Sequence, residues 1–219
     1  MNLFRIDASI RREGSVTRAL ADTAQAGWQS RHPEGTVTER DLGIEPLPAT
    51  AWREAALAMG GTGTESSAQR QAVGLAASLV DELEQADALL LAIPIYNFGV
   101  PQHVKAWVDL VYTDPRMRPR ATPLLADKPA LLLLARGGAY GEGSPRHGWD
   151  HSTPWLRRIF EDVWGLDLRL NAVELTLAET NPAMESLRGK AAEALELGLA
   201  LALSQGEELS PEPAQEQVA

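Results

Sequence analysis

The chain has 219 residues, of which 44% are hydrophobic and 23% charged, so it is long enough to form one domain with its own core. It contains no cysteine, which excludes disulfides, thiol nucleophiles and cysteine-bound metal centres. The net charge is −10 and the arginines are scattered, so the sequence lacks the basic stripe of a nucleic-acid-binding protein.

The N-terminal part of the chain alternates strand-like and helix-like segments. Residues 1–9 are predicted to form a first strand. In residues 14–30, small or apolar residues recur at the spacing of one helix face. These are Val16, Leu20, Ala24, Gly27 and Trp28. Residues 36–42 are β-branched and half polar, which is typical of a short edge strand. Residues 43–66 hold two prolines and a Gly-Gly-Thr-Gly cluster, and we interpret them as an excursion around one short helical stretch.

An amphipathic helix is predicted over residues 66–86, before the most apolar part of the chain. The side chains that would share its buried face are Val73, Ala76, Ala77, Val80 and Leu83. Residues 87–93 and 129–135 are short, unbroken apolar runs, which are typical of parallel strands covered on both faces. Residues 166–175 alternate apolar with polar residues and are predicted to form the other edge strand.

Three further segments are predicted to be helical: residues 101–112, 154–164 and 182–204, the first two with proline at an early position. Residues 205–219 are acidic and contain prolines, so we predict one domain at 1–204 followed by a disordered tail. The sequence begins with neither a secretory signal nor a membrane-spanning stretch, so we expect a cytoplasmic protein that does not bind membranes.

Strand and helix alternate five times, which predicts an α/β domain with a doubly wound, five-stranded parallel sheet and helices on both faces. With the second and fifth strands at the edges, the predicted strand order is 2-1-3-4-5. In such a sheet, ligands bind beyond the carboxyl ends of the strands, beside the switch point between the first and third. We therefore expect three loops to meet in one crevice.

The first of these loops carries hydroxyl groups. Ser9, Ser15 and Thr17 surround the predicted start of a helix, and Gly14 permits a tight turn. Backbone N–H groups at a helix N-terminus, with small hydroxyls around them, can bind a phosphate. The same residues would also suit an ordinary helix cap. The loop has neither Gly-x-Gly-x-x-Gly nor Gly-x-x-x-x-Gly-Lys-Ser/Thr, which disfavours a Rossmann dinucleotide or a P-loop nucleotide.

The second loop, IPIYNFGVP, places an aromatic-amide-aromatic triplet after a buried strand. Pro94 and Pro101 stiffen it. Tyr96 and Phe98 offer flat faces to a ligand, and Asn97 offers an amide that both donates and accepts hydrogen bonds. The alternative is that the two aromatic rings plug the end of a core strand.

The third loop, ARGGAYGEGSPRHGWD, is rich in glycine and follows the fourth strand. Its Arg136-Gly137-Gly138 segment would let the backbone approach a ligand closely. The later glycines suit a movable cover over a site, although they also suit a flexible connection. His147 and His151 are four residues apart, but Pro145 and Gly148 predict a loop here, so we predict no metal site.

A site made of phosphate-binding hydroxyls, an aromatic ledge and a glycine rim suits a flat heteroaromatic molecule with a single phosphate. Flavin mononucleotide (FMN) is the candidate. Hydride transfer through a flavin requires no serine triad, metal or pair of carboxylates, because the cofactor carries the chemistry.

With these motifs the sequence resembles the FMN-dependent NADH:quinone oxidoreductases, also called FMN-dependent azoreductases, of the flavodoxin-like superfamily. The resemblance spans about residues 2–204. It depends on S-I-x4-S-x-T at 9–17, P-I-Y-N-F-x-V-P-x-x-V-K at 94–105 and A-R-G-G at 135–138.

The resemblance implies a flavodoxin-like fold, bound FMN and a homodimer with active sites near the subunit interface. It also implies ping-pong hydride transfer, in which NADH or NADPH reduces the flavin and a quinone or azo compound then takes the electrons. The residues implied to bind the phosphate are Ser9, Ser15, Val16 and Thr17. Those implied to hold the isoalloxazine ring are Ile95, Tyr96, Asn97 and Phe98. Those implied to line its other edge are Ala135, Arg136, Gly137 and Gly138.

The sequence departs from this family in two places. Ala135 stands where members often have serine, and residues 112–127 are shorter than usual and lack an aromatic residue often contributed to the substrate pocket. The proton for a quinone could come from solvent or from Tyr96. Two alternatives stay open: a flavin reductase that uses FMN as a substrate, and a non-catalytic flavodoxin-like electron carrier or interaction module.

Overall fold

A five-stranded parallel sheet organises the computed structural model, which describes residues 1–61 and 65–211. Its strands are β1 (Asn2–Asp7), β2 (Thr36–Asp41), β3 (Ala88–Pro94), β4 (Pro129–Ala135) and β5 (Asp167–Val173). They pair in the order β2-β1-β3-β4-β5, and every neighbouring pair is parallel. The predicted strand order is confirmed, with β2 and β5 at the edges.

Helices connect the strands as a doubly wound sheet requires. They are α1 (Val16–Arg31), α2 (Ala51–Gly60), α3 (Ser67–Gln85), α4 (Gln102–Val111), α5 (Thr153–Arg157) and α6 (Arg188–Glu207). A π-helical segment at Arg158–Val163 continues α5, and short 3₁₀ turns lie at Pro115–Met117 and Pro182–Leu187.

Successive residues of the central strands face opposite cores, because side chains alternate along a strand. In β1, Leu3 packs in the core that includes Leu20 of α1 and Ala202 of α6, whereas Phe4 packs in the core that includes Leu79 of α3 and Trp107 of α4. Every residue of β3 and β4 is buried, as their unbroken apolar runs predict.

The buried stripe of α3 differs from the prediction. Val73 is 40% exposed, and the buried residues are Ala72, Ala76, Leu79, Val80 and Leu83. The helix is rotated so that Leu79 faces the sheet in place of Val73, and this rotation buries the larger apolar side chain.

The folded part of the chain also extends beyond the predicted boundary at residue 204. Helix α6 continues to Glu207, Leu209 is buried in the core beneath α1, and Glu208 pairs with Arg169 of β5 at 2.9 Å. Leu209 and the ion pair of Glu208 therefore hold this end of α6 against the rest of the fold. Residues 212–219 of the predicted tail, and 62–64 of the Gly-Gly-Thr-Gly cluster, lie outside the described residues.

A group of ion pairs around Arg116 joins the 3₁₀ turn that follows α4 to α3. The guanidinium of Arg116 contacts Asp114 at 2.9 Å and, on α3, Asp81 at 2.6 Å and Glu84 at 2.9 Å. Asp114 is buried, and its hydrogen bonds to Arg116 lower the pKa of its carboxyl group below the ordinary value. The charged carboxylate is therefore the form that the fold favours.

We expect Asp114→Asn to lower the free energy of unfolding by about 1 kcal/mol at pH 7. A depressed carboxyl pKa stabilises the fold above the unfolded-state pKa of about 3.9, and this stabilisation is lost as the pH falls through the lower folded-state pKa. The difference between the two proteins should therefore narrow below about pH 4, which urea unfolding at a series of pH values measures. A constant difference down to pH 2.5 would contradict the ion-pair explanation.

In the part of the chain that the structure describes, no helix combines the length and the apolar character needed to cross a membrane.

Candidate functional site

A cavity of about 910 Å³ opens beyond the carboxyl ends of β1, β3 and β4, the place where a doubly wound sheet binds its ligands. Its size is typical of a small-molecule site. All three loops singled out in the sequence contribute to its wall. The predicted site residues that line it are Ser9, Ser15, Val16, Thr17, Ile95, Tyr96, Asn97, Ala135 and Gly137.

One end of the cavity is formed by the N-terminus of α1. Ser15 is the N-cap residue, and its Oγ accepts the N–H of Arg18 and lies 3.2 Å from Oγ1 of Thr17. The N–H groups of the first helical turn have no partner within the helix, and Val16 and Thr17 both line the cavity. Gly14 precedes the cap at φ +66°, a conformation that glycine adopts without strain. The arrangement suits a phosphate.

Arg18 fixes the loop that leads to this helix. Its guanidinium donates hydrogen bonds to the carbonyl oxygens of Ser9 at 2.8 Å and Arg11 at 2.9 Å, and to the carboxylate of Asp41 at 2.8 Å. Burial would raise the pKa of Asp41, but the hydrogen bond and the charge of Arg18, together with the backbone N–H groups of Ile44 and Gly43, outweigh burial and hold this pKa below the ordinary value. Arg18 is thus a structural clamp between β1 and β2.

A tight hairpin turn forms the second wall. Tyr96 and Gly99 exchange backbone hydrogen bonds of 3.2 and 3.0 Å, and Asn97 and Phe98 between them have φ of 48° and 67°. Positive φ at both central positions is the type I′ turn. Asparagine tolerates this conformation, whereas phenylalanine in it costs about 1 kcal/mol. Strain of this kind concentrates at functional sites, and here it places Asn97 on the cavity wall.

The hydroxyl group of Tyr96 joins the second loop to the first. Its oxygen accepts the backbone N–H of Ile10 at 3.1 Å. The group is thus held in the wall of the cavity, compatible with the proton donation considered for Tyr96.

Three predicted site residues do not line the cavity: Phe98, Arg136 and Gly138. Arg136 points away, because its guanidinium pairs with Asp150 at 2.9 Å and Glu174 at 3.0 Å and donates a hydrogen bond to Thr153 at 3.0 Å. It fastens the third loop to the start of α5 and the end of β5. The side chain of Phe98 packs on the same loop, edge-on to Trp149.

Twelve lining residues were not among the predicted site residues, although Gly14, Pro94 and Pro101 were assigned to the loops expected to form the site. The twelve are Ile10, Arg11, Gly14, Pro94, Gly99, Val100, Pro101, Gln102, His103, Lys105, Thr176 and Leu177. His103, in the first turn of α4, has Nε2 at 2.8 Å from the carbonyl oxygen of Ala8. A helix that starts directly after Pro101 must begin at the crevice, and Thr176 and Leu177 follow the strand that pairs with β4. The predicted topology could therefore have indicated both groups.

The charge of the cavity wall is opposite to that of the chain. Among the described residues that line it, none is aspartate or glutamate, whereas Arg11 and Lys105 are cationic. Lys105 is paired with Asp109 at 2.6 Å, so Arg11 provides the net positive charge of the wall. The chain as a whole carries a net charge of −10. A locally positive site favours an anionic ligand.

Comparisons with known proteins agree with this geometry. A family model described as "Flavodoxin-like fold" matches residues 1–197. The FMN-dependent NADH:quinone oxidoreductase of Frankia alni is 40% identical over 185 residues, which cover 84% of this chain and 88% of that protein. The protein of the same name from Streptomyces coelicolor is 36% identical over 191 residues and 84% of each chain.

Solved structures show the same fold. The azoreductase from Bacillus anthracis str. Sterne superposes with a TM-score of 0.79 at 22% identity, over 95% of this chain and 100% of that chain. An FMN-dependent NADH-azoreductase from the Ames Ancestor strain, solved in complex with FMN, has a TM-score of 0.70 at 17% identity, over 92% and 99%. The chain therefore belongs to the flavodoxin-like fold family and, within it, to the family of the FMN-dependent NADH:quinone oxidoreductases.

Proposed function

We propose that the chain binds FMN in this cavity and transfers hydride equivalents from a nicotinamide dinucleotide to a quinone or azo acceptor. The observation that carries the proposal is the meeting, in one cavity, of the α1 N-terminus, the Tyr96–Gly99 turn and Gly137. The relatives named above carry this activity in their names.

The phosphate would lie at the start of α1. The hydroxyls of Ser9, Ser15 and Thr17 are largely buried there, and the amides of Val16 and Thr17 lie in the first helical turn. Hydroxyl groups and unpaired N–H groups satisfy phosphate oxygens, and the helix dipole favours their negative charge. Arg11 adds a cation at the same end.

The flat ring would lie between the turn and the end of β4. Asn97 would offer its amide to the polar edge of the ring, and Gly137 would let the backbone approach closely. Ala135 supplies no hydroxyl here, so the backbone must provide the hydrogen bonds at this edge. When bound, FMN supplies the hydride chemistry itself, and the protein orients it and excludes water.

The partners follow from this assignment. The donor would be NADH or NADPH, and dependence on such a donor supports a cytoplasmic location. The exposed apolar side chains of Ile10 beside the cavity, and of Trp52 and Leu57 on α2, support a homodimer.

A visible spectrum of the purified protein tests the proposal. We expect flavin absorption bands that bleach when NADH is added without oxygen and return when a quinone is added. A colourless protein that does not take up added FMN would refute the proposal. FMN that is lost on gel filtration would favour the flavin reductase, and bound FMN that NADH does not bleach would favour the electron carrier.

A further inference from the structure

An aromatic cluster lies beside the cavity, where the second loop meets the third. The ring of Phe98 is edge-on to Trp149, with centroids 5.4 Å apart, and to Tyr140 at 6.4 Å. Trp149 is 51% exposed and Phe98 37% exposed. Two aromatic side chains held edge to face would usually be buried; here both keep a large part of their surface open to solvent.

A cation lies over the same ring. The guanidinium carbon of Arg146 is 5.9 Å from the centroid of Phe98, within the range of a cation–π contact. Its Nη1 is the nearest atom to the position that a side chain on Gly138 would occupy, at 2.7 Å. Arg146 therefore bridges the hairpin turn and the glycine pair that follows β4. The backbone N–H of Trp149 donates to the carbonyl of Arg146 at 3.1 Å, so one turn presents both side chains.

The charge of Arg146 has no counter-ion in the part of the chain that the structure describes. No carboxylate oxygen there lies within 4.0 Å of its guanidinium, whereas Arg136 in the same region forms ion pairs with Asp150 and Glu174. We call the exposed surface of Phe98, Trp149 and Arg146 the aromatic rim.

The aromatic rim adjoins the proposed flavin position. Asn97 and Gly99, on either side of Phe98, line the cavity, as does Gly137 next to Gly138. A flat molecule that reaches the flavin from this side would have to pass Trp149 and Phe98, with the guanidinium of Arg146 at its edge. Stacking on exposed rings selects a planar aromatic molecule, and the guanidinium selects a planar anionic group such as a carboxylate or sulfonate.

We propose that the aromatic rim is a specificity subsite for electron acceptors that are planar aromatic molecules bearing an anionic substituent, with Arg146 as the residue that recognises the charge. The proposal rests on the proposed function for the reaction, but the binding step that it describes is measurable separately. Arg146 positions the acceptor and takes no part in electron transfer.

Binding of two matched probes tests this subsite. Anthraquinone-2-sulfonate carries the anionic group, and 2-(hydroxymethyl)anthraquinone has the same rings without the charge. Calorimetric titration of the protein as purified should show that Arg146→Gln weakens sulfonate binding about fivefold, the size of an exposed ion pair. Binding of the neutral probe should change less than about twofold. Arg146→Lys should recover most of the loss.

Arg31→Gln is the matched control, because it removes one exposed arginine at the far end of α1 and should leave both probes unaffected. Equal weakening of the two probes by Arg146→Gln, or of the sulfonate by both glutamine variants, would overturn the subsite. An unchanged sulfonate affinity in Arg146→Gln would do the same.

Half-reaction kinetics separate the acceptor from the other anionic substrate. We expect Arg146→Gln to leave the rate of flavin reduction by NADH and NADPH unchanged and to lower kcat/KM for the sulfonate about fivefold. If Arg146→Gln slowed flavin reduction by NADPH alone, the charge of Arg146 would serve to bind the extra phosphate of NADPH, and the acceptor subsite would be overturned. If the protein bound no FMN, the proposed function would fail, and the calorimetric titration of the same protein would still decide the subsite.

Discussion

Replacing Ser15 by aspartate is expected to weaken FMN binding at least about 100-fold while α1 stays folded. Aspartate caps a helix as well as serine does, so the hydrogen bond to the N–H of Arg18 has a replacement acceptor. The carboxylate would, however, stand beside Thr17 in the wall that receives the phosphate. Like charges in such proximity cost several kcal/mol, which corresponds to two or more factors of ten in affinity. Quenching of flavin fluorescence during titration measures the affinity.

Two controls make this result specific. Ser66→Asp introduces the same charge at the N-cap of α3, where the serine makes the same kind of hydrogen bond to Gln69, and it should leave FMN affinity unchanged. Riboflavin, which lacks the phosphate, should bind equally weakly to the wild-type protein and to Ser15→Asp. An equal loss of affinity for riboflavin and FMN would show that Ser15 does not face the phosphate.

The sheet could be predicted because its signals are local. The runs ALLLAIP and PALLLLA have no polar residue on either face. This pattern is typical of a strand that is covered on both faces, and the two runs form β3 and β4. The alternating pattern of residues 166–175 likewise indicated an edge strand, and β5 occupies Asp167–Val173 of it. The sequence indicates the rotation of a helix about its axis less clearly. Ala72 and Val73 are adjacent small apolar residues, and packing against the sheet determines which of them is buried; the buried stripe is the one that contains Leu79.

The position of the cavity could also be predicted, because topology brings the ends of parallel strands together. The directions of individual side chains could not. The side chain of Arg136 points away from the cavity and forms ion pairs with Asp150 and Glu174, which are 14 and 38 positions away in sequence. The side chain of Phe98 points away from the cavity because positive φ at Asn97 and Phe98 reverses the direction of the chain. No sequence rule predicts that conformation for phenylalanine. Long-range ion pairs and strained turns are tertiary effects, and they determine which motif residues line the cavity.

Trp107→Ala is expected to lower the free energy of unfolding by about 3–5 kcal/mol, a large share of the total of about 5–15 kcal/mol for a domain. Trp107 of α4 is fully buried, with its ring 5.3 Å from Trp164 and 6.3 Å from Phe160, so alanine leaves a cavity among large rings that cannot collapse to fill it. Trp107→Phe should cost much less, about 1–2 kcal/mol, because it keeps most of the volume and removes an indole N–H that is buried without an acceptor in the described part of the chain. Urea unfolding of the three proteins measures the difference, and equal losses for alanine and phenylalanine would contradict the packing explanation.

Since the first turn of α4 carries Gln102 and His103 into the cavity wall, the alanine variant should also release FMN at a lower temperature than the phenylalanine variant.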